Sequence, residues 1–171
     1  TIDLKKEIGG TTWIYVQKGF AQAEEQAADL VLIHMNTYGG EVLFADSIRT
    51  KILNSHIPVY AFIDNNAASA GALIAIACDK IFMRNGATIG AATVVNSNGE
   101  AMPDKSQSYM RATMRATAEA HGRDTLITGQ DTSYIWKRNP QIAEAMVDER
   151  IVVEGVSEAG KTLTFTSEEA L

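Results

Sequence analysis

Cysteine is almost missing from this chain of 171 residues: Cys78 stands alone, so no disulfide can close within it and no cysteine-rich metal site can form. Its setting, Ile76-Ala77-Cys78, is that of a small buried hydrophobe rather than a nucleophile. Basic clusters are missing too. With 15 Lys and Arg against 21 Asp and Glu the formal charge is −6, and without a basic patch the chain lacks the electrostatic footprint of a nucleic-acid binder. No apolar run reaches the ~20 residues of a membrane span; the longest, residues 67–78, is interrupted by Ser69 and closed by Asp79. A secretory signal is not visible. A chain that opens at Thr1 without Met reads as a domain excised from a longer protein, with targeting or anchoring segments removed. Neither a metal nor a cofactor is expected.

What is present is an ordinary globular composition, 46% hydrophobic and 21% charged, at a length that suits one domain over residues 1–171. Residues 2–8 alternate weakly, as an edge strand does. Residues 11–28 carry Trp13, Val16, Phe20, Ala23 and Ala27 at helical spacing. Residues 30–35 form a nearly continuous apolar strand, of the kind covered on both faces. Asn36 to Gly40 breaks it. A helix over 42–53 follows, burying Val42, Ala45, Ile48, Ile52 and Leu53, then a strand at 59–63, a helix at 69–77 and a strand at 80–83. Strand and helix in alternation imply right-handed crossovers and a largely parallel sheet, with ligands beyond the carboxyl ends of its strands. Further on, 87–95 reads as extended chain and 96–102 as a polar loop. A helix over 104–121 turns Tyr109, Ala112, Thr113, Ala116 and Ala120 to one side. Residues 125–139, with no clean period, read as a loop or mobile insertion. A short helix at 140–147, a strand at 151–156, extended chain at 162–165 and a capped helix from Ser167 close the chain.

Two features fall at carboxyl ends of the predicted parallel strands: Gly39-Gly40, and Ser69 within Asn65-Asn66-Ala67-Ala68-Ser69-Ala70-Gly71. A serine at a strand-to-helix turn stands beside the unpaired N–H groups of a helix start, which favour negative charge. Acyl transfer needs that arrangement. The plain alternative is that Ser69 only caps the helix. An oxyanion could be held by the amide of Ala70 and by the glycine pair, whose lack of side chains permits close approach; an ordinary turn is the alternative there. The general base is less evident. His34 lies among apolar neighbours and reads as a core residue, His56 precedes Pro58 in a turn, and His121 ends a helix beside Gly122. Lysine is the other choice, because burial can make its neutral amine a base. Lys105, in Met102-Pro103-Asp104-Lys105, opens the long helix after the polar loop, where a solvated surface lysine is the alternative.

In combination these boxes resemble the ClpP/crotonase superfamily, and within it the protease domain of the NfeD-type membrane-associated serine proteases. Carrying the resemblance are N-T-Y-G-G-E-V (36–42), N-N-A-A-S-A-G-A-L-I-A (65–75), A-T-I-G-A-A (87–92), P-D-K (103–105), A-E-A-M-V-D (143–148) and the closing L-T-F-T-S-E-E-A-L (163–171). They run in order over nearly the whole chain. The resemblance implies an α/β ClpP/crotonase-like fold of repeated β-β-α and βα units, with a largely parallel sheet flanked by helices. It implies Ser69 as nucleophile, Lys105 as general base, the amides of Gly40 and Ala70 as oxyanion hole, and Gly39 as the residue shaping the turn. The ClpP peptidases proper use a histidine after the serine helix; this chain has none between His56 and His121, which favours a Ser/Lys dyad. Tyr38 stands where the family usually has proline before the paired glycines, and the 96–102 loop is short.

The expected activity is therefore that of an ATP-independent serine endopeptidase acting on hydrophobic segments of membrane-associated proteins. Gly39, Val42, Thr93 and Val94 are expected to line the substrate, held as an added strand. The resemblance further implies a homo-oligomer, and membrane association in the full-length protein through segments outside this chain. The domain itself would be soluble and extracytoplasmic. Two rivals belong to other classes. A crotonase-type acyl-CoA enzyme would use the same paired amides with Glu41 or Asp64 as its acidic group, and a membrane-assembly scaffold would keep the fold without turnover.

Overall fold

A computed structural model describes residues 1–128 and 131–170, which fall into two compact units: residues 1–92 with 164–170, and residues 93–163. The first unit is built on one sheet. Its strands are β1 (Ile2–Leu4), β2 (Val31–Thr37), β3 (Val59–Ala68), β4 (Lys80–Met83), β5 (Thr88–Gly90) and β8 (Thr164–Thr166), in the order β1-β2-β3-β5-β8 with β4 also on β3. All pairings are parallel except β5 with β8, as the strand–helix alternation requires. The helices are α1 (Gly10–Glu25), α2 (Val42–Leu53) and α3 (Ala70–Ala77).

β3 is the spine. Its first half, from Tyr60 to Ile63, pairs with β4, and its second, from Asn66 to Ala68, pairs with β5. The sequence predicts that this strand stops at Ile63; instead it runs through Asp64, Asn65 and Asn66 to Ala68. The polar side chains there sit at half-buried or exposed positions, and from Asn66 onward ladder pairing with β5 holds the backbone extended whatever those side chains prefer. β3 thereby delivers the chain to Ser69. α3 is apolar all round, and its eight residues are all buried, as such a helix must be.

β2 corrects a second expectation. Val31, Ile33, Met35 and Thr37 are buried, but Leu32, His34 and Asn36 between them are only half-buried, so one face is less completely covered. His34 uses that face: its Nδ1 lies 3.1 Å from Asp3 Oδ1, and its Nε2 lies 3.5 Å from Asp64 Oδ2 without forming a hydrogen bond. It is not a core residue. In α1 the buried residues are Val16 and Phe20, while Ala27 lies beyond the helix end, exposed, at φ 47°. α2 buries Ala45, Ile48 and Ile52; Val42 and Leu53 are half-buried.

The second unit holds α4 (Asp104–Glu119), the antiparallel hairpin β6 (Arg123–Thr128) and β7 (Asp131–Trp136), and α5 (Pro140–Ala145). α4 buries Met110, Thr113, Met114, Thr117 and Ala118. Of the face predicted from spacing only Thr113 is covered; Tyr109, Ala112, Ala116 and Ala120 are exposed. Two methionines offer more apolar area than three alanines, and burial follows area. The stretch 125–139, predicted to be irregular, is largely this hairpin, with residues 129 and 130 outside the described chain. Every hairpin residue described is exposed except Trp136, which is half-buried beneath the Arg123 guanidinium at 3.8 Å. A strand with neither face buried has no reason to alternate, which is why no period is visible.

Residues 151–156 form no strand; Val153 donates to Ser157 Oγ at 2.9 Å and Val156 N–H returns to the Val153 carbonyl, closing a turn. Residues 167–170 are likewise turn rather than helix, and Leu171, the last residue of that predicted helix, lies outside the described residues. Among the described residues no helix is long and apolar enough to cross a membrane.

Candidate functional site

Ser69 sits where β3 ends and α3 begins, at φ 54° and ψ −119°. A residue with a Cβ is strained there by roughly 1–3 kcal/mol. The surroundings impose the conformation: Ser69 N–H donates to the Gly90 carbonyl at 2.9 Å, and its own carbonyl accepts from Ala72 N–H at 2.9 Å. Although Ser69 occupies the cap position, its side chain makes no capping hydrogen bond. The hydroxyl is not spent on the helix.

The paired glycines lie against it. Gly39 has φ 113° and Gly40 has φ 150°, a region that side chains rarely enter. A Cβ placed on Gly39 would fall 2.6 Å from Ser69 Cβ and 3.1 Å from its Oγ. A Cβ on Gly40 would overlap the backbone of Ile8. The turn is stitched to the N-terminal segment, with Ile8 N–H donating to the Gly39 carbonyl and Glu41 N–H to the Ile8 carbonyl, both at 2.8 Å. Thr37, which the sequence reading passed over, holds the turn from beneath. Its buried hydroxyl accepts from Gly39 N–H at 3.2 Å and donates to the Lys6 carbonyl at 2.8 Å. A threonine ending a strand of otherwise apolar buried positions was the available signal. Among the described residues, the N–H groups of Gly40 and Ala70 have no acceptor. Free amides beside a serine are what stabilisation of an oxyanion requires.

Gly40→Ala is expected to displace this turn and lower stability by about 2–4 kcal/mol, an overpacking and backbone-strain effect. A thermal melt reads this as a drop of several degrees; an unchanged midpoint would mean that the turn relaxes freely.

Lys105 belongs to the second unit, as an exposed residue in the first turn of α4. Its neighbours are held firmly. The Gln107 side-chain amide accepts from Val94 N–H at 2.9 Å and donates to the Val94 carbonyl at 2.7 Å and the Met102 carbonyl at 3.1 Å. Asp104 pairs with Arg150 at 3.0 Å and Arg111 at 3.4 Å, and both arginines reach Asp148. Hydrogen bonds from Arg150 are the main reason the Asp148 carboxyl is held down to about 2. Of the expected substrate-lining residues, Val42 is half-buried and opens α2, where the sequence predicts the helix over 42–53 to begin, so it offers no strand edge. Thr93 donates to the Val147 carbonyl at 2.9 Å. Both main-chain polar groups of Val94 are occupied by Gln107, so an incoming strand would have to displace that amide.

The other candidates are tied down elsewhere. Asp64 is bound by Arg84 at 3.0 Å, which holds its carboxyl below the usual range. His56 is exposed, and His121 Nε2 lies 2.7 Å from an Arg138 nitrogen. Among the described residues no group of three or more His, Cys, Asp or Glu could hold a metal ion. Thus Ser69, Gly39 and Gly40 come together within the first unit, and Lys105, Thr93 and Val94 lie in the second.

The family model described as NfeD1b, N-terminal domain, matches residues 1–171. Membrane protein NfeD1b of Bacillus subtilis is 31% identical over 171 residues, covering 99% of this chain and 36% of that protein. Membrane-bound protease PH1510 of Pyrococcus horikoshii is 30% identical over 132 residues, covering 72% of this chain and 30% of that protein. The chain thus spans about a third of the length of these curated relatives. Among solved structures, the 1510-N membrane-bound stomatin-specific protease, as a lysine-to-alanine mutant in complex with a substrate peptide, is 27% identical, with TM-score 0.77 over 98% of this chain and 68% of that one. ClpP1 from Listeria monocytogenes, at 19% identity and TM-score 0.66 over 99% of this chain and 84% of its own, shares the fold.

Proposed function

The chain belongs to the NfeD1b N-terminal domain family, and from that premise we propose that it is a ClpP-like serine endopeptidase domain, independent of ATP, that works through a Ser69/Lys105 dyad. The observation that carries the reading is Ser69 itself. Its hydroxyl is left uncommitted at a strained strand-to-helix junction, against Gly39 and beside the free amides of Gly40 and Ala70.

In this mechanism Ser69 Oγ attacks a peptide carbonyl while neutral Lys105 Nζ takes its proton. The carbonyl oxygen, now negative, is held by the N–H groups of Gly40 and Ala70. Collapse breaks the C–N bond, the lysine returns the proton to the leaving amine, and water delivered through the same base releases the acyl group. Both units would form one protease domain, and Gly39, Thr93 and Val94 would contact the substrate. The substrates are hydrophobic segments of membrane-associated proteins. That choice is supported by a relative named for its specificity toward stomatin and by relatives named as membrane proteins. The working form is a homo-oligomer, anchored through segments outside this chain, with the protease domain outside the cytoplasm.

An internally quenched peptide of apolar residues, incubated with the protein in the absence of nucleotide, is expected to be cut at an internal bond. Cleavage only on addition of ATP, or none, contradicts the reading.

A further inference from the structure

With a formal charge of −6, the chain repels an anionic peptide over most of its surface. One cavity of the first unit nevertheless brings lysines together with neutral hydrogen-bond donors. It has a volume of ≈ 470 Å³, and the Thr37–Gly40 turn forms one wall; around it stand Lys5, Lys6, Glu7, Asn36, Tyr38 and Asn65. Of the three charged side chains on its lining, two are lysines. Lys5 is already engaged by Asp3 at 3.3 Å, whereas Lys6 has no ion pair among the described residues.

The Lys6 backbone is fixed. Thr37, 2% exposed, donates its hydroxyl proton to the Lys6 carbonyl and accepts from Gly39 N–H. One buried hydroxyl therefore ties the Lys6 main chain to the glycine that lies on Ser69. Asn36, Asn65 and the 81% exposed Tyr38 add neutral donors to the lining. A carboxylate accepts such donors in several directions at once. Glu7, also on the lining, opposes the build-up of further negative charge, so the site suits one carboxylate and not a polyanion.

We propose that this cavity is a subsite for a carboxylate on the bound peptide, either an Asp or Glu side chain or a free C-terminus, with Lys6 as the pairing cation. The inference rests on the protease reading, because a peptide laid along the Gly39-Gly40 turn is what brings the carboxylate here.

The test uses the Ser69→Ala protein, so that binding is read without turnover. Three fluorescent apolar peptides are compared by anisotropy: one with an internal Glu and an amidated end, its Gln counterpart with an amidated end, and the Gln peptide with a free C-terminus. One acidic peptide is expected to bind about fivefold tighter than the Gln amide, a preference of ion-pair size. Which one does so identifies the source of the carboxylate. The preference shrinks between roughly 50 and 500 mM salt, disappears in Lys6→Ala, and survives Lys18→Ala, an equal charge change at an exposed position of α1. Thermal melting confirms that Lys6→Ala is folded. Equal binding of the three peptides, no binding of any, or a preference that survives Lys6→Ala overturns the proposal. A carboxylate preference in a protein whose natural form never cleaves peptide would instead sink the protease reading and leave the subsite standing.

Discussion

Ser69→Ala is expected to abolish peptide cleavage while leaving peptide binding in place. Loss of a serine nucleophile lowers kcat on the order of 10⁴- to 10⁶-fold, and the residue that remains comes from the oxyanion site and binding alone. The substitution removes one oxygen atom. Ser69 makes no capping hydrogen bond, so no stabilising contact to α3 is lost with it. Alanine carries the same Cβ into the same positive φ, and the bonds that impose it, Ser69 N–H to the Gly90 carbonyl and Ala72 N–H to the Ser69 carbonyl, belong to the backbone. The melting midpoint is therefore expected to stay within a degree or two, since surface-like substitutions change stability by less than about 0.5 kcal/mol. If the hydroxyl were only structural, the midpoint would move and the rate would not.

The second large effect is expected at Lys105. Lys105→Ala removes the proposed base, and a positioned general base contributes about 10²–10⁴-fold. The loss should fall on kcat. The fold should survive. Lys105 is exposed, and the helix start is held without it, by Gln107 gripping Val94 and Met102 and by Asp104 paired with Arg150 and Arg111. A variant that keeps its rate removes Lys105 from the mechanism.

The parts of this protein that could be read from sequence are those where chemistry is local. The apolar run ending in small residues placed α3 and its serine. The glycine pair after β2 marked the turn, and the alternation of strand and helix gave the parallel sheet. The misreadings have physical causes. Asp64, Asn65 and Asn66 signal a chain break, but β3 runs on through them and pairs with β5 from Asn66 to Ala68. The β6–β7 hairpin has no buried face to create a pattern. On α4, alanine spacing suggested one face while the larger methionines were buried on another. Thr37 and Lys6 could not have been linked from sequence, since 31 positions separate them and only the folding of the N-terminal segment onto β2 brings them together.

The central claim, that Ser69 is the nucleophile, is tested most directly by treating the protein with a fluorophosphonate and locating the adduct by peptide mass mapping. The account predicts one phosphonyl group on Ser69, absent from Ser69→Ala and formed far more slowly in Lys105→Ala. Peptide cleavage by a protein that carries its adduct on another residue, and keeps its activity as Ser69→Ala, would contradict it.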